Sequence, residues 1–191
     1  MRNFKSALTE KFAFATTLLL LSTSIAGAKN LIVNNGFEDT VVSNPKSYLR
    51  FVPGQSIGGW SVTGDAVDVH GAEHTEPKTG NQSLDLAGGD LAGGIYQYVP
   101  TQVGQRYLVS FWVAGHPWHT DIQPEKRFEL WFGNQSTGIL KVKRAQSMSK
   151  MNWQFQKFYF VAAEAWTPVW FVGHTKNGGA ILDSVSVVQS Q

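Results

Sequence analysis

The chain predicts an all-β protein, a sandwich or jelly roll, and three observations carry that prediction. Short runs rich in Val, Ile, Phe, Tyr and Trp recur along it, each bounded by Gly, Pro, Asn or Ser. Helical periodicity is scarce. Nineteen glycines among 191 residues supply the tight turns that many short strands need.

The first 28 residues stand apart from this pattern. Arg2, Lys5 and Lys11 make a basic start, residues 12–21 are apolar, and Ala26-Gly27-Ala28 offers a small-residue cleavage point. That order predicts a secretory signal peptide over 1–28, with an uncleaved anchor helix as the alternative. Residues 29–191 then form a single domain, large enough to bury a core without disulfides. There is no cysteine, which excludes disulfides, cysteine-ligated metal sites and thiol chemistry.

The elements follow in order. "LIVNNGFEDT" (31–40) is an apolar run that turns at Asn-Asn-Gly and then sets Glu38 beside Asp39. Residues 45–59 form the longest irregular region, expected as a surface loop. "SLDLAG", "GIYQYV", "YLVSFWVAG", "RFELWFG", "GILKVKRA", "FQKFYFVA", "PVWFVGH" and "ILDSVSVV" read as strands. Residues 145–151 lack Gly and Pro and could hold one helical turn.

Period-two alternation assigns faces within these strands. Tyr107, Val109, Phe111 and Val113 fall on one side of their strand, as do Phe128, Leu130 and Phe132, and Val169 and Phe171. These sets read as core. Trp112, Trp131 and Trp170 fall on the opposite sides of three strands. If those strands share a sheet, their indoles make an apolar platform of the kind that suits sugar rings. The alternative is that a further layer or loop covers them. Glu129, the same-face neighbour of Trp131, with Gln97, Trp118 and His119, could add polar or aromatic groups to such a site.

Charge narrows the partners. Three of the sixteen basic residues and one of the fourteen acidic ones lie in the first 28, so the remainder balances at thirteen of each. The basic footprint of a nucleic-acid binder is missing, and Lys141, Lys143 and Arg144 read as the wet face of a strand. Catalytic patterns are weak. The five histidines (70, 74, 116, 119 and 174) show no HExxH spacing, and there is no GxSxG elbow. His116 and His119 flank a Pro-containing loop and could meet His70 or His74 around a metal. Glu38, Asp65, Asp68, Glu73, Glu76, Asp85 and Asp90 could supply paired carboxylates, and "AVDVHG" puts Asp68 and His70 on one strand face.

The ordered set "LIVNNGFED", "GGWSVTGDAVDVHG", "TGNQSLDLAG", "GGIYQYVPTQVGQRYLVSFWVAG", "MNWQFQKFYFVA" and "AILDSVSVV" resembles the secreted choice-of-anchor C family and related plant cell-wall proteins over residues 31–188. The resemblance implies a galactose-binding-like jelly-roll β-sandwich, similar to many carbohydrate-binding modules, with first and last segments side by side. It also implies a structural calcium held by Glu38, by the carbonyl of Asn35 or Gly36, by a group near Lys78 or Thr79, and by Asp183. Such oxygen ligands suit a hard cation.

The functional expectation is a secreted or periplasmic, non-catalytic protein that binds a cell-wall or extracellular polysaccharide. It has no nucleic-acid partner and no membrane association once the signal is cleaved. An adhesion or matrix domain whose aromatic face meets another protein is the alternative, and a glycan-active hydrolase or esterase a third reading.

Overall fold

The computed structural model describes residues 29–117 and 124–190. The expected signal peptide, and Trp118 and His119, lie outside the described residues. Within them the fold is an all-β, jelly-roll sandwich of twelve strands: β1 (Tyr48–Phe51), β2 (Ser56–Ile57), β3 (Trp60–Gly64), β4 (Val67–Gly71), β5 (Gln82–Asp85), β6 (Gly93–Pro100), β7 (Arg106–Gly115), β8 (Glu125–Phe132), β9 (Gln135–Lys143), β10 (Gln154–Val161), β11 (Trp166–Gly173) and β12 (Ala180–Gln189). The first sheet has the order β1-β4-β5-β12-β7-β10 and the second β2-β3-β6-β11-β8-β9. Every strand pairing is antiparallel.

Alternation explains the core. Tyr107, Val109, Phe111 and Val113 point inward from the first sheet, and Phe128, Leu130, Phe132, Val169 and Phe171 from the second, all buried. Aromatic pairs zip the two layers together. Phe111 meets Phe171 edge-on at 5.0 Å, and Phe132 stacks on Phe160 at 5.2 Å. Such pairs contribute roughly 0.5–1.5 kcal/mol each beyond their buried area.

The opening segment takes its place beside the last strand, as the resemblance implies. The Leu31 amide donates to the Val187 carbonyl at 2.8 Å, and the Val185 amide to the Asn35 carbonyl at 2.8 Å. Asn-Asn-Gly then turns the chain. Phe37 adopts a left-handed φ of 64°, which costs about 1–3 kcal/mol for such a residue. Its ring is fully buried, 6.0 Å from the Trp60 ring, and that burial offsets the strain.

β12 carries the device that sets an acid in an apolar strand. Its register with β7 slips between Asp183 and Ser186, and Ser184 has φ 52°. This bulge keeps Leu182, Val185 and Val187 on the core side although their spacing breaks the period of two. Asp183 is left facing away from the core.

Two expectations are corrected. Residues 45–59 are not a loop throughout: they contain β1 and β2. β1 is an edge strand, largely exposed and held by pairing with β4, so burial never imposed an alternating pattern on it. Residues 145–151 hold no helical turn. The Lys150 amide donates to the Ser147 carbonyl across a tight turn, with a bridge between the same two residues. Ser, rather than a helix former, punctuates the segment.

Candidate functional site

The outer face of the second sheet presents an aromatic row. Ser61 of β3, Tyr96 of β6, Trp170 of β11, Trp131 of β8 and Ser136 of β9 are successive register partners. The inward neighbours of the first four are core, so those four point outward, and Ser136 is exposed beside Trp131. Three aromatic side chains thus lie on three adjacent strands. The row covers two inter-strand spacings, about 9.6 Å, comparable to the length of a disaccharide.

A second row runs beside the first: Thr63, Gly94, Val172, Glu129 and Ile139. It fixes the orientation of the aromatics. The Trp170 indole N–H donates to Thr63 Oγ1 at 3.2 Å, reaching across Gly94. A Cβ on Gly94 would stand 3.3 Å from that indole nitrogen and 2.7 Å from the Phe171 carbonyl oxygen, so only glycine lets the ring lie there. Trp170 remains 38% exposed, and Tyr98 and Trp166 on the same face are 56% and 61% exposed. Tyr96 and Tyr98 meet edge-on at 5.9 Å.

Glu129 is the polar centre of the face. Its carboxylate accepts from Ser136 Oγ and lies 3.3 Å from His174 Nε2. The Ser136 hydrogen bond, outweighing the opposing effect of burial and helped by His174 and Trp131, draws its carboxyl below the ordinary value. Glu129 is therefore an anionic acceptor at neutral pH. Tyr96, Thr63 and His174 were not singled out from sequence. Alternation in "GIYQYV" pointed to Tyr96; Thr63 and His174 join the face only through pairing of distant strands.

The other expected ligand residues fall elsewhere. Trp112 belongs to the first sheet, so it lies on the opposite outside of the sandwich and the three tryptophans do not make one platform. Its register partners are Phe155 and Asp183, and Lys78 Nζ sits 3.9 Å from its ring centre. Gln97 points inward. Its buried amide brackets Val33, accepting from that residue's N–H at 2.7 Å and donating to its carbonyl at 3.1 Å. It pins the opening segment instead of meeting a ligand.

The residues expected around calcium do converge. A Cβ placed on Gly36 would lie 3.7 Å from Asp183 Oδ1 and 4.0 Å from Glu38 Oε1. Asp183 Oδ2 accepts the backbone amides of Lys78 and Thr79 at 2.8 and 2.9 Å. Glu38 Oε1 accepts those of Asn81 and Gln82 at 2.9 and 3.0 Å. The two carboxylates thereby latch the 78–82 loop onto the first sheet. Burial pushes the Asp183 carboxyl up, against the pull of the Thr79 and Lys78 amides. Oxygen donors that fit a hard cation remain around them in Glu38 Oε2, Asp183 Oδ1 and the Thr79 and Ser184 hydroxyls. The Asn35 carbonyl, expected at that site, accepts the Val185 amide.

Among known proteins, the family profile described as "Protein of unknown function (DUF642)" matches residues 30–188, and the chain belongs to that family. No curated protein matches it. Among solved structures, it is similar to TmCBM61 in complex with β-1,4-galactotriose, at 17% identity and TM-score 0.57, covering 85% of this chain and 100% of that one. It is similar to the CBM22-1 xylan-binding domain of Xyn10C from Paenibacillus barcinonensis, at 14% identity and TM-score 0.54, covering 85% and 95%. It is also similar to the Stig cyclase Fisc from Fischerella sp. TAU, at 13% identity and TM-score 0.57, covering 85% and 98%. At such identities the likeness establishes the fold and leaves function to the site.

Proposed function

We propose that this DUF642 protein is a secreted or periplasmic carbohydrate-binding domain that takes a cell-wall or extracellular polysaccharide on the outer face of its second sheet. The observation that carries the reading is the registered, outward-facing row Tyr96–Trp170–Trp131, exposed at Trp170, half-buried at Tyr96 and Trp131, and flanked by Glu129 and Thr63. Aromatic area with a few placed polar groups is what oriented binding of a polyhydroxylated ring requires. Two similar folds are those of TmCBM61, in complex with β-1,4-galactotriose, and of a CBM22-1 xylan-binding domain, which supports a glycan partner. The basic, apolar and small-residue order of the first 28 residues supports export. Resemblance to the secreted choice-of-anchor C family supports the same secreted or periplasmic setting.

The binding is non-catalytic. Glu129 is held as an anion and accepts hydrogen bonds, so it suits a sugar hydroxyl better than it suits proton donation. The test is affinity electrophoresis against a panel of plant and bacterial polysaccharides, with thermal melts in parallel. Wild type should be retarded by at least one polymer. Trp131→Ala and Trp170→Ala should abolish that retardation while staying folded. Folded variants that still bind would move the site off this face. A protein partner captured through the same tryptophans, with no polymer bound, would favour the adhesion alternative.

A structural calcium at Glu38, Asp183 and the neighbouring hydroxyls belongs to the same proposal. It would brace the loop that the two carboxylates already hold. A micromolar site in millimolar calcium would add about 4 kcal/mol of stability. Melting in EDTA and in calcium should then differ by several degrees. Superimposable curves would leave the latch to the amides alone.

A further inference from the structure

A cavity of about 500 Å³ lies on the outer side of the first sheet, over β1, β4 and β5, and takes no part in the aromatic face. Alternation builds its floor. Val67, Val69 and Leu84 face the core, so Asp68, His70, Ser83 and Asp85 face outward, and yet the last four are buried. The turn after β4 brings His74 over His70, with ring centres 4.6 Å apart. The end of β7 brings His116 to 5.7 Å from His70.

We propose that His70, His74 and His116 form a binding site for one divalent transition-metal ion of the zinc type. One nitrogen from each ring lies within 4.8 Å of the other two. An ion among three such atoms is at most about 2.8 Å from each, against ~2.0–2.1 Å for a zinc–imidazole bond. Side-chain adjustments of under ~1 Å would close that gap.

The surroundings orient the rings as metal ligands are oriented. His70 Nδ1 is 3.1 Å from Thr75 Oγ1, which in turn is 3.2 Å from Ser83 Oγ. His74 Nδ1 is 3.3 Å from the Lys46 carbonyl, to which it can donate. In both rings Nε2 is left to face an ion. Asp85 adds negative charge, with Oδ2 3.9 Å from His116 Nε2 and Oδ1 fixed by the amides of Ala87 and Gly179 at 2.9 Å each. Of the cations near the site, Arg50 forms a bidentate pair with Asp68, at 3.0 Å on both arms, and the buried Lys126 acts on both Asp85 and His116. Asp68, on the same strand face as His70, is thus taken up by Arg50 and does not orient that ring. Three imidazoles select a borderline ion such as Zn²⁺ over the hard Ca²⁺ expected at Glu38 and Asp183. The fourth coordination position opens toward the cavity.

The experiment uses the chain without a polyhistidine tag, stripped with EDTA and titrated with Zn²⁺ by calorimetry. Co²⁺ serves as the spectroscopic probe. One Zn²⁺ should bind per chain, and Co²⁺ should give visible ligand-field bands. His74 is only half-buried, so His74→Ala should leave the metal-free melt unchanged while weakening Zn²⁺ binding at least tenfold. His174→Ala, on the other sheet, should change neither. X-ray absorption on Zn²⁺-loaded wild type requires no variant and should count three imidazoles. No uptake, fewer than three imidazoles, or uptake indifferent to His74→Ala would overturn the site. Each result is independent of whether a polysaccharide binds the aromatic face.

Discussion

Trp112 and Trp170 hold equivalent places in their strands, one residue from a buried phenylalanine and aimed out of the sandwich, but they meet different fates. Trp170 is set upright over Gly94 by Thr63 and stays accessible, with aromatic neighbours on both flanking strands. Trp112 is roofed by Lys78 and pressed against Phe155 at 5.2 Å. The difference arises from residues distant from Trp112 in sequence, one of them its own register partner. Asp183, turned outward by the β12 bulge, and Glu38, set by the opening turn, pull the 78–82 loop across the first sheet. Trp170 carries no comparable roof among the described residues. Side-chain direction is a local property of a strand. Whether an outward residue meets solvent is decided by which loop the topology latches above it.

The sharpest way to break the contrast is to release that latch. Asp183→Ala removes a buried acceptor from the amides of Lys78 and Thr79 and from two hydroxyls. Hydrogen bonds to a charged group contribute ~1.5–3 kcal/mol each, so a loss of about 3 kcal/mol or more is expected in urea unfolding. Amide exchange over 78–82 should accelerate. Protection that survives the substitution would mean that Glu38 alone holds the loop.

The next effect separates binding from stability. Trp170→Ala should weaken glycan binding at least tenfold, about 1.4 kcal/mol, while shifting stability by under ~1 kcal/mol. Trp112→Ala should do the reverse: roughly 1–2 kcal/mol of stability lost with its packing, and binding unchanged. A folded Trp112→Ala that loses the glycan would transfer the site to the first sheet.

The same contrast shows what the sequence made legible. The inward sets around Phe111, Leu130 and Phe171 follow from the period of two, because core burial enforces it. The edge strand β1 was not legible, because an exposed edge enforces nothing. Sheet membership was not legible either. β7, β8 and β11 look alike as strings, and only pairing over long separations sends the first to one layer and the others to the second. Gln97 shows the remaining failure. Alternation places it opposite Tyr96, but nothing in the string says that its amide brackets Val33. The sequence offered His116 with His70 or His74 around a metal; that all three rings meet needed three dimensions, since His116 follows β7, which never pairs with the β4 strand that carries His70.

The smallest effect concerns the polar centre of the exposed face. Folding lowers the Glu129 carboxyl below its ordinary value of 4.5, chiefly through Ser136. A depressed folded-state value means that the unfolded chain takes up the proton first. The stabilisation is therefore fully present above about 4.5 and is lost as pH falls through the lower, folded value. Solvent reaches this face, so the contribution is modest. Glu129→Gln should melt slightly below wild type at neutral pH, and the difference should shrink as pH falls through the lowered, folded-state value. Glycan binding should follow the same profile if Glu129 accepts a sugar hydroxyl. Wild-type affinity that holds constant through that acid range, with the fold intact, would leave the aromatic row as the binding determinant and reduce Glu129 to a support for Ser136 and His174.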